Sequence, residues 1–233
     1  MISIDRVYST VKFFINTDLR GNVKPDDLRL AINTAVEDIV EGYFVEVNRA
    51  VNRENRGFEN NGLENLPDRI RERILYFLDE ADLTYSTDRF ALPDDIRYLD
   101  SVYYLENEAE PCKNMKEFKL ISSLSDTAPS TTYPIYLRIG DDIKIVPTTI
   151  VDNVSVAYLR KHLIANWTFT VVSGTEVFNP SANDFQDIDL HSSEEYNVII
   201  KTCGFFGVNL KESDLVNVTG SLMQQQFQQD NQV

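Results

Sequence analysis

At 233 residues, 42% of them apolar and 11% aromatic, the chain is long enough to bury a core, which excludes wholesale disorder. Its formal net charge of −15, from 37 Asp and Glu against 22 Lys and Arg, excludes tight wrapping of duplex DNA, whose backbone rewards cationic neutralisation. Only two cysteines, Cys112 and Cys203, stand far apart in the chain, which excludes a disulfide framework or a cysteine-rich zinc site.

The first block, residues 1–89, reads as helical. Ile4, Val7, Val11 and Phe14 with Ile15 recur at three-four spacing behind Ser3 as a cap. After a turn at Asn16–Asn22, Pro25 suits a first helical position, with Asp26 and Asp27 near the positive end of the helix dipole. Leu28, Ile32, Ala35, Ile39 and Tyr43 then form a stripe, widened by Val36, Val40 and Val47, in a helix running to about Arg49. Pro67 opens a third helix with the stripe Ile70, Ile74, Phe77 with Leu78, and Ala81. The acidic run Asp79-Glu80-Ala81-Asp82 opposes the dipole and ends it. The intervening Asn52–Asn65 is polar and long for a connection between packed helices.

The middle block, residues 90–178, reads as an antiparallel sheet. A strand is expected over Ile96–Tyr104 and a short helix over Met115–Leu124, followed by a Ser/Thr/Pro stretch at Ser125–Thr132. Ile135, Leu137 and Ile139 alternate with Tyr136 and Arg138; Gly140-Asp141-Asp142 supplies a turn, and Ile143 and Ile145 resume the alternation of a hairpin with one core-facing row. Val154, Val156 and Tyr158 mark a third strand, and Thr168–Val172 a further one. The last block, residues 179–233, returns to helix. Ser192 and Glu195 have capping-box spacing, and Tyr196, Ile199, Ile200, Cys203 and Phe206 form a buried face ended by Gly207 and Asn209. A second helix from about Ser213 fades into a Gln-rich tail. The expected fold class is α+β, with N- and C-terminal helices packed together and a small antiparallel sheet inserted between them.

The run YPIYLRIGDDIKIVPT, continued by VSVAYLRKHLIANW up to Trp167, resembles the β-domain of head-to-tail connector proteins (adaptors or neck rings) of short-tailed phages, including crAss-like phages. In that family a P-x-Y strand precedes a hairpin ending I-x-I-x-P, and a Y-L-R-K-P strand follows; here Tyr158-Leu159-Arg160-Lys161 is followed by His162 instead of proline. Ala91–Leu99 resembles the family's lead into its first strand, and Ile188–Leu210 its closing helix. The resemblance implies a structural virion protein and no enzyme: a homo-oligomeric ring of about twelve copies that binds the portal and further tail or neck proteins. Genomic DNA would pass through its channel without tight binding, and assembly would take place in the host cytoplasm. A small non-enzymatic protein-binding module of a phage or bacterium is the alternative. Acidity by itself serves solubility in many proteins; within a DNA conduit it also keeps the wall from holding phosphates.

Candidate interface residues are Arg160, Lys161 and Trp167 at the end of the third strand, and the lone aromatics Phe58 and Phe227 in the polar stretches Asn52–Asn65 and Met223–Val233. Solvated cations at a strand end, with Trp167 packed into the sheet or against a neighbour, account for the first group better than a phosphate or nucleobase site at Arg160-Lys161-His162 does. The turn Asn16–Asp27 has an EF-hand-like central Gly21, but Arg20 and Lys24 stand where calcium needs oxygen, so no metal and no cofactor is expected. His162 and His191 lack a neighbouring nucleophile in the manner of an acid-base site. Asp5 and Arg6 come too early for a secretory signal, and no window approaches the roughly 18 apolar residues of a membrane span, so a soluble cytoplasmic product is expected.

Overall fold

The computed structural model describes residues 1–18, 23–55, 68–123, 128–209, 220–222 and 224. Phe58 and Phe227, most of the two polar stretches that carry them, the centre of the Asn16–Asp27 turn and most of the helix expected after Ser213 lie outside the described residues. The chain divides into two compact units, one of Met1–Tyr76 with His162–Val233 and one of Phe77–Lys161. Sequence periodicity places the divisions elsewhere, at residues 89 and 178.

In the first unit, α1 (Ile4–Asp18) and α2 (Pro25–Asn55) carry the expected stripes. Ile4, Val7, Tyr8, Val11 and Ile15 are buried on α1, and Leu28, Ile32, Ala35, Val36, Ile39, Val40 and Tyr43 on α2. Phe14 is exposed and Tyr8 takes the inward place. The closing helix α5 (Glu195–Asn209) packs on both α1 and α2. Its inward residues are Val198, Ile200, Thr202, Cys203 and Phe206, whereas Tyr196 faces solvent. The expected capping box is replaced by a single 3₁₀ turn, Ser192–Glu194, capped by His191, whose Nδ1 accepts the Ser193 N–H. Glu195 instead meets Arg6 at 2.8 Å.

The third helix, α3 (Asp68–Leu75), is shorter than its periodicity suggests. Leu78–Asp82 is strand β1, paired antiparallel with Val154–Arg160 (β9) in the register Leu78↔Leu159 to Asp82↔Ser155. An acidic segment is poor at a helix C-terminus, and a strand ladder satisfies its backbone instead.

The expectation of one small antiparallel sheet between helical ends is overturned: the described residues form eleven strands in three sheets. The second unit holds β2 (Thr84–Ser86), β3 (Arg89–Ala91), β4 (Ile96–Tyr104), β5 (Asn107–Glu108), β6 (Glu110–Pro111), α4 (Met115–Ser123), β7 (Ile135–Ile139) and β8 (Asp142–Val146) beside β1 and β9. One sheet runs β1-β9-β4-β5 and the other β2-β3-β8-β7-β6, with β6 parallel to β7. A third, two-stranded sheet, β10 (Phe169–Val172) and β11 (Thr175–Phe178), belongs to the first unit and turns through Ser173 and Gly174 at positive φ.

The two larger sheets bury a shared core that includes Phe90, Ile96, Val102, Tyr136, Ile143, Ile145, Val154, Val156 and Tyr158. The hairpin β7–β8 does not present one apolar row. Its turn pairs Ile139 with Asp142 and Tyr136 with Ile145, so Ile135 and Leu137 face α4 while Ile143 and Ile145 face the shared core. A one-residue offset in pairing is enough to move a row to the opposite face. The unit begins and ends on neighbouring strands: the Arg160 N–H donates to the Phe77 carbonyl at 2.9 Å. An insertion that leaves where it came in interrupts its host fold least.

Candidate interaction site

The outer face of the β1-β9-β4-β5 sheet is built by alternation. Val154, Val156 and Tyr158 of β9 point into the core, which leaves Ser155, Ala157 and Leu159 on the other side. Their ladder partners are Asp82, Glu80 and Leu78 on β1 and Tyr103, Ser101 and Tyr98 on β4; Tyr103 in turn pairs with Glu108 on β5. Three carboxylates and two tyrosines thus share a face whose register positions include no Lys or Arg. Tyr98 and Leu78 are well exposed there. Such a surface repels phosphate and favours cationic or hydrogen-bonding partners.

A groove of about 430 Å³ opens between α4 and the β7–β8 hairpin. Phe118, Ile139 and Val146 give it an apolar floor, and Arg89, Lys119 and Lys144 a cationic rim. Asp88, in the tight β2–β3 turn at positive φ, pairs with Lys144, and Arg89 lies 3.5 Å from Asp142. The Lys144 ammonium, donating to the Asp88 carboxylate, holds that group below the usual carboxylate range. Lys119 makes no ion pair among the described residues.

Arg160 and Lys161 end β9 as the sequence suggests, and each contacts residues of its own unit. The Arg160 guanidinium lies 5.5 Å from the centre of the Phe77 ring, and Lys161 donates through its ammonium to the Asp94 carbonyl at 3.1 Å. Tyr158 donates to Asp95 at 3.1 Å; burial first, then this bond to a carboxylate, push its phenol up to about 12.

Trp167 belongs to the other unit and is no exposed anchor. It is 6% exposed, stacks on Tyr8 with ring centres 3.8 Å apart, and donates its indole N–H to Asp5 at 2.9 Å. Phe169 and Phe178 stack beside it, so the tryptophan ties the β10–β11 hairpin to α1. Burial, followed by the charges of Glu176 and Asp5, pushes Tyr8 up to about 12 as well.

The histidines hold structure. His162 Nε2 lies 3.2 Å from Glu37, and His191 Nδ1 is 2.9 Å from the Ser193 hydroxyl while capping the 3₁₀ turn. Both cysteines are buried thiols; burial pushes Cys203 up to about 11 and raises Cys112, lowering their thiolate content at neutral pH. Among the described residues no group of three His, Cys, Asp or Glu side chains is placed to hold a metal. No helix among them is long and apolar enough to cross a membrane.

The acidic sheet face and the cationic groove escape sequence reading because each draws on several separate strands or helices. The only local signal is in α4, where Met115 with Phe118 and Lys116 with Lys119 repeat at helical spacing. Neither a protein-family model nor a curated protein matches the chain.

Proposed function

We propose that this chain is a non-enzymatic structural subunit of an oligomeric ring in the head-to-tail connector of a short-tailed phage, where it extends the portal channel for DNA and docks the next tail component. The observation that carries this reading is the connector-like segment Tyr133–Trp167, most of which lies in a β-rich unit bearing the carboxylate-lined sheet face of Glu80, Asp82 and Glu108. A channel wall of that charge lets phosphates slide past, since no Lys or Arg stands at the paired register positions of that face. Its location follows from the same reading: the virion neck.

Negative-stain imaging of the purified chain together with its cognate portal tests the proposal. Closed rings seated on the portal are expected, with DNA affinity weaker than micromolar at physiological salt. A chain that remains monomeric beside the portal, or that binds duplex DNA at nanomolar concentration, would overturn it. A second reading, a small protein-binding module, is favoured by Tyr98 and Tyr103 on the same acidic face, because tyrosine is enriched at recognition surfaces. It expects a one-to-one complex with a basic partner in place of a ring.

A further inference from the structure

The Phe77–Lys161 unit carries a projection chemically complementary to its own groove. The β4–β5 turn at Leu105-Glu106 meets the loop Val151–Asn153, where the Leu105 N–H donates to the Asn153 carbonyl at 3.1 Å. Leu105 and Asn153 both sit at positive φ, 55° and 53°. Asparagine tolerates that region, whereas leucine adopts it rarely. The strain is not offset by burial, for Leu105 is 59% exposed, and Val151 in the facing loop is 47% exposed. Glu106 and Asp152, both exposed, are the chain neighbours of these two aliphatic residues. A bulky apolar residue held in a strained conformation at an exposed tip points to a contact made outside the subunit.

We propose that this acidic-aliphatic tip seats in the groove between α4 and the β7–β8 hairpin of a second copy of the chain. Complementarity of charge and polarity singles out that occupant. The tip offers two carboxylates around Leu105 and Val151, and the groove offers Arg89, Lys119 and Lys144 around Phe118, Ile139 and Val146. Of the three rim cations, Lys144 is paired with Asp88 and Arg89 with Asp142, which leaves Lys119 as the cation without an ion pair among the described residues. None of the tip residues lines the groove of its own subunit, so each copy presents one tip and one groove. A contact between two different patches is heterologous and propagates head to tail, closing into a ring when its rotation divides the circle. The inference deepens the connector reading and rests on it for ring closure.

Charge reversal on the full-length chain tests the contact. Glu106→Lys and Lys119→Glu alter exposed side chains and should leave the melting temperature near that of the wild type. Each variant alone should lose about tenfold or more in self-association, with and without portal, as measured by sedimentation velocity and native mass spectrometry. An equimolar mixture should regain assembly, because the reversed tip of a Glu106→Lys copy then meets the reversed rim of a Lys119→Glu copy, and the next contact along pairs a wild-type tip with a wild-type rim. If the wild type forms rings and both variants form them equally well, the contact is wrong and the ring reading stands. Recovery neither in the mixture nor in a single chain carrying both Glu106→Lys and Lys119→Glu, after loss in each single variant, would also reject this pairing. If the wild type stays monomeric even with portal, both the contact and the ring reading fall.

Discussion

The unit formed by the two chain ends and the unit between them are held together differently. In the first, remote segments meet through the apolar faces of α1, α2 and α5 and are further fixed by individual polar side chains. Asn33 donates to the Ala165 carbonyl and accepts the Ala165 N–H, both at 2.9 Å. Tyr76 donates to the buried Asp189, the Trp167 indole reaches Asp5, and Arg73 meets Glu194 at 2.6 Å with both side chains almost fully buried. In the second unit, ladders and a continuous apolar core join the segments, and the Tyr158–Asp95 bond is a peripheral addition. Where segments distant in sequence meet without a common ladder, paired polar groups define the fit. Where strands pair throughout, distributed burial suffices.

The sharpest way to break this contrast is Arg73→Ala. It leaves the Glu194 carboxylate buried without its cation, and urea titration should show the first unit losing about 3–5 kcal/mol while tryptophan-silent probes of the second unit change little. Alkaline titration tests a property that the units share. Tyr8 and Tyr158 both have folded values near 12 against an ordinary 10, so the stability they contribute is present below about pH 10 and drains away between pH 10 and 12. Each contributes at most about 1.4 kcal/mol per pH unit in that window. Phenolate absorbance should lag behind that of the unfolded chain over the same range, and an ordinary curve near pH 10 for both would contradict their burial.

Asn33→Ala comes next, with an expected loss of about 1–3 kcal/mol because two backbone groups of Ala165 lose their partner, again confined to the first unit in hydrogen exchange. The smallest change is Ile143→Val in the second unit, at about 1 kcal/mol, since one methylene leaves a fully buried site and its ladder survives. A loss larger for Ile143→Val than for Asn33→Ala would reverse the proposed division between polar fit and distributed burial.

Local pattern makes much of the secondary structure legible. The stripes of α1 and α2, strand β4, helix α4, the β7–β8 turn and strand β9 all lie where spacing puts them, because each is encoded by residues that are neighbours in the chain. Strands β1, β2, β3, β5 and β6 are not legible. Each is short or polar, and its backbone is satisfied by a partner elsewhere in the chain, as Leu78–Asp82 is by β9. Of the candidate interface, Arg160 and Lys161 do stand at a strand end, but their roles are not visible in the sequence: the cation over Phe77 and the bond to Asp94 join segments more than sixty residues apart.

By itself the sequence determined the net acidity, the apolar helical faces, the hairpin turn and the scarcity of cysteine, since these are properties of composition and of short-range spacing. Tertiary structure alone decided that Trp167 is a core residue, that opposite faces of the β7–β8 hairpin serve two different layers, and that carboxylates from β1 and β5 share one sheet face. The physical reason is register. A period of two states that a strand has two faces, but only the hydrogen-bonded partner, arriving from a distant part of the chain, decides which face each residue shares and with whom.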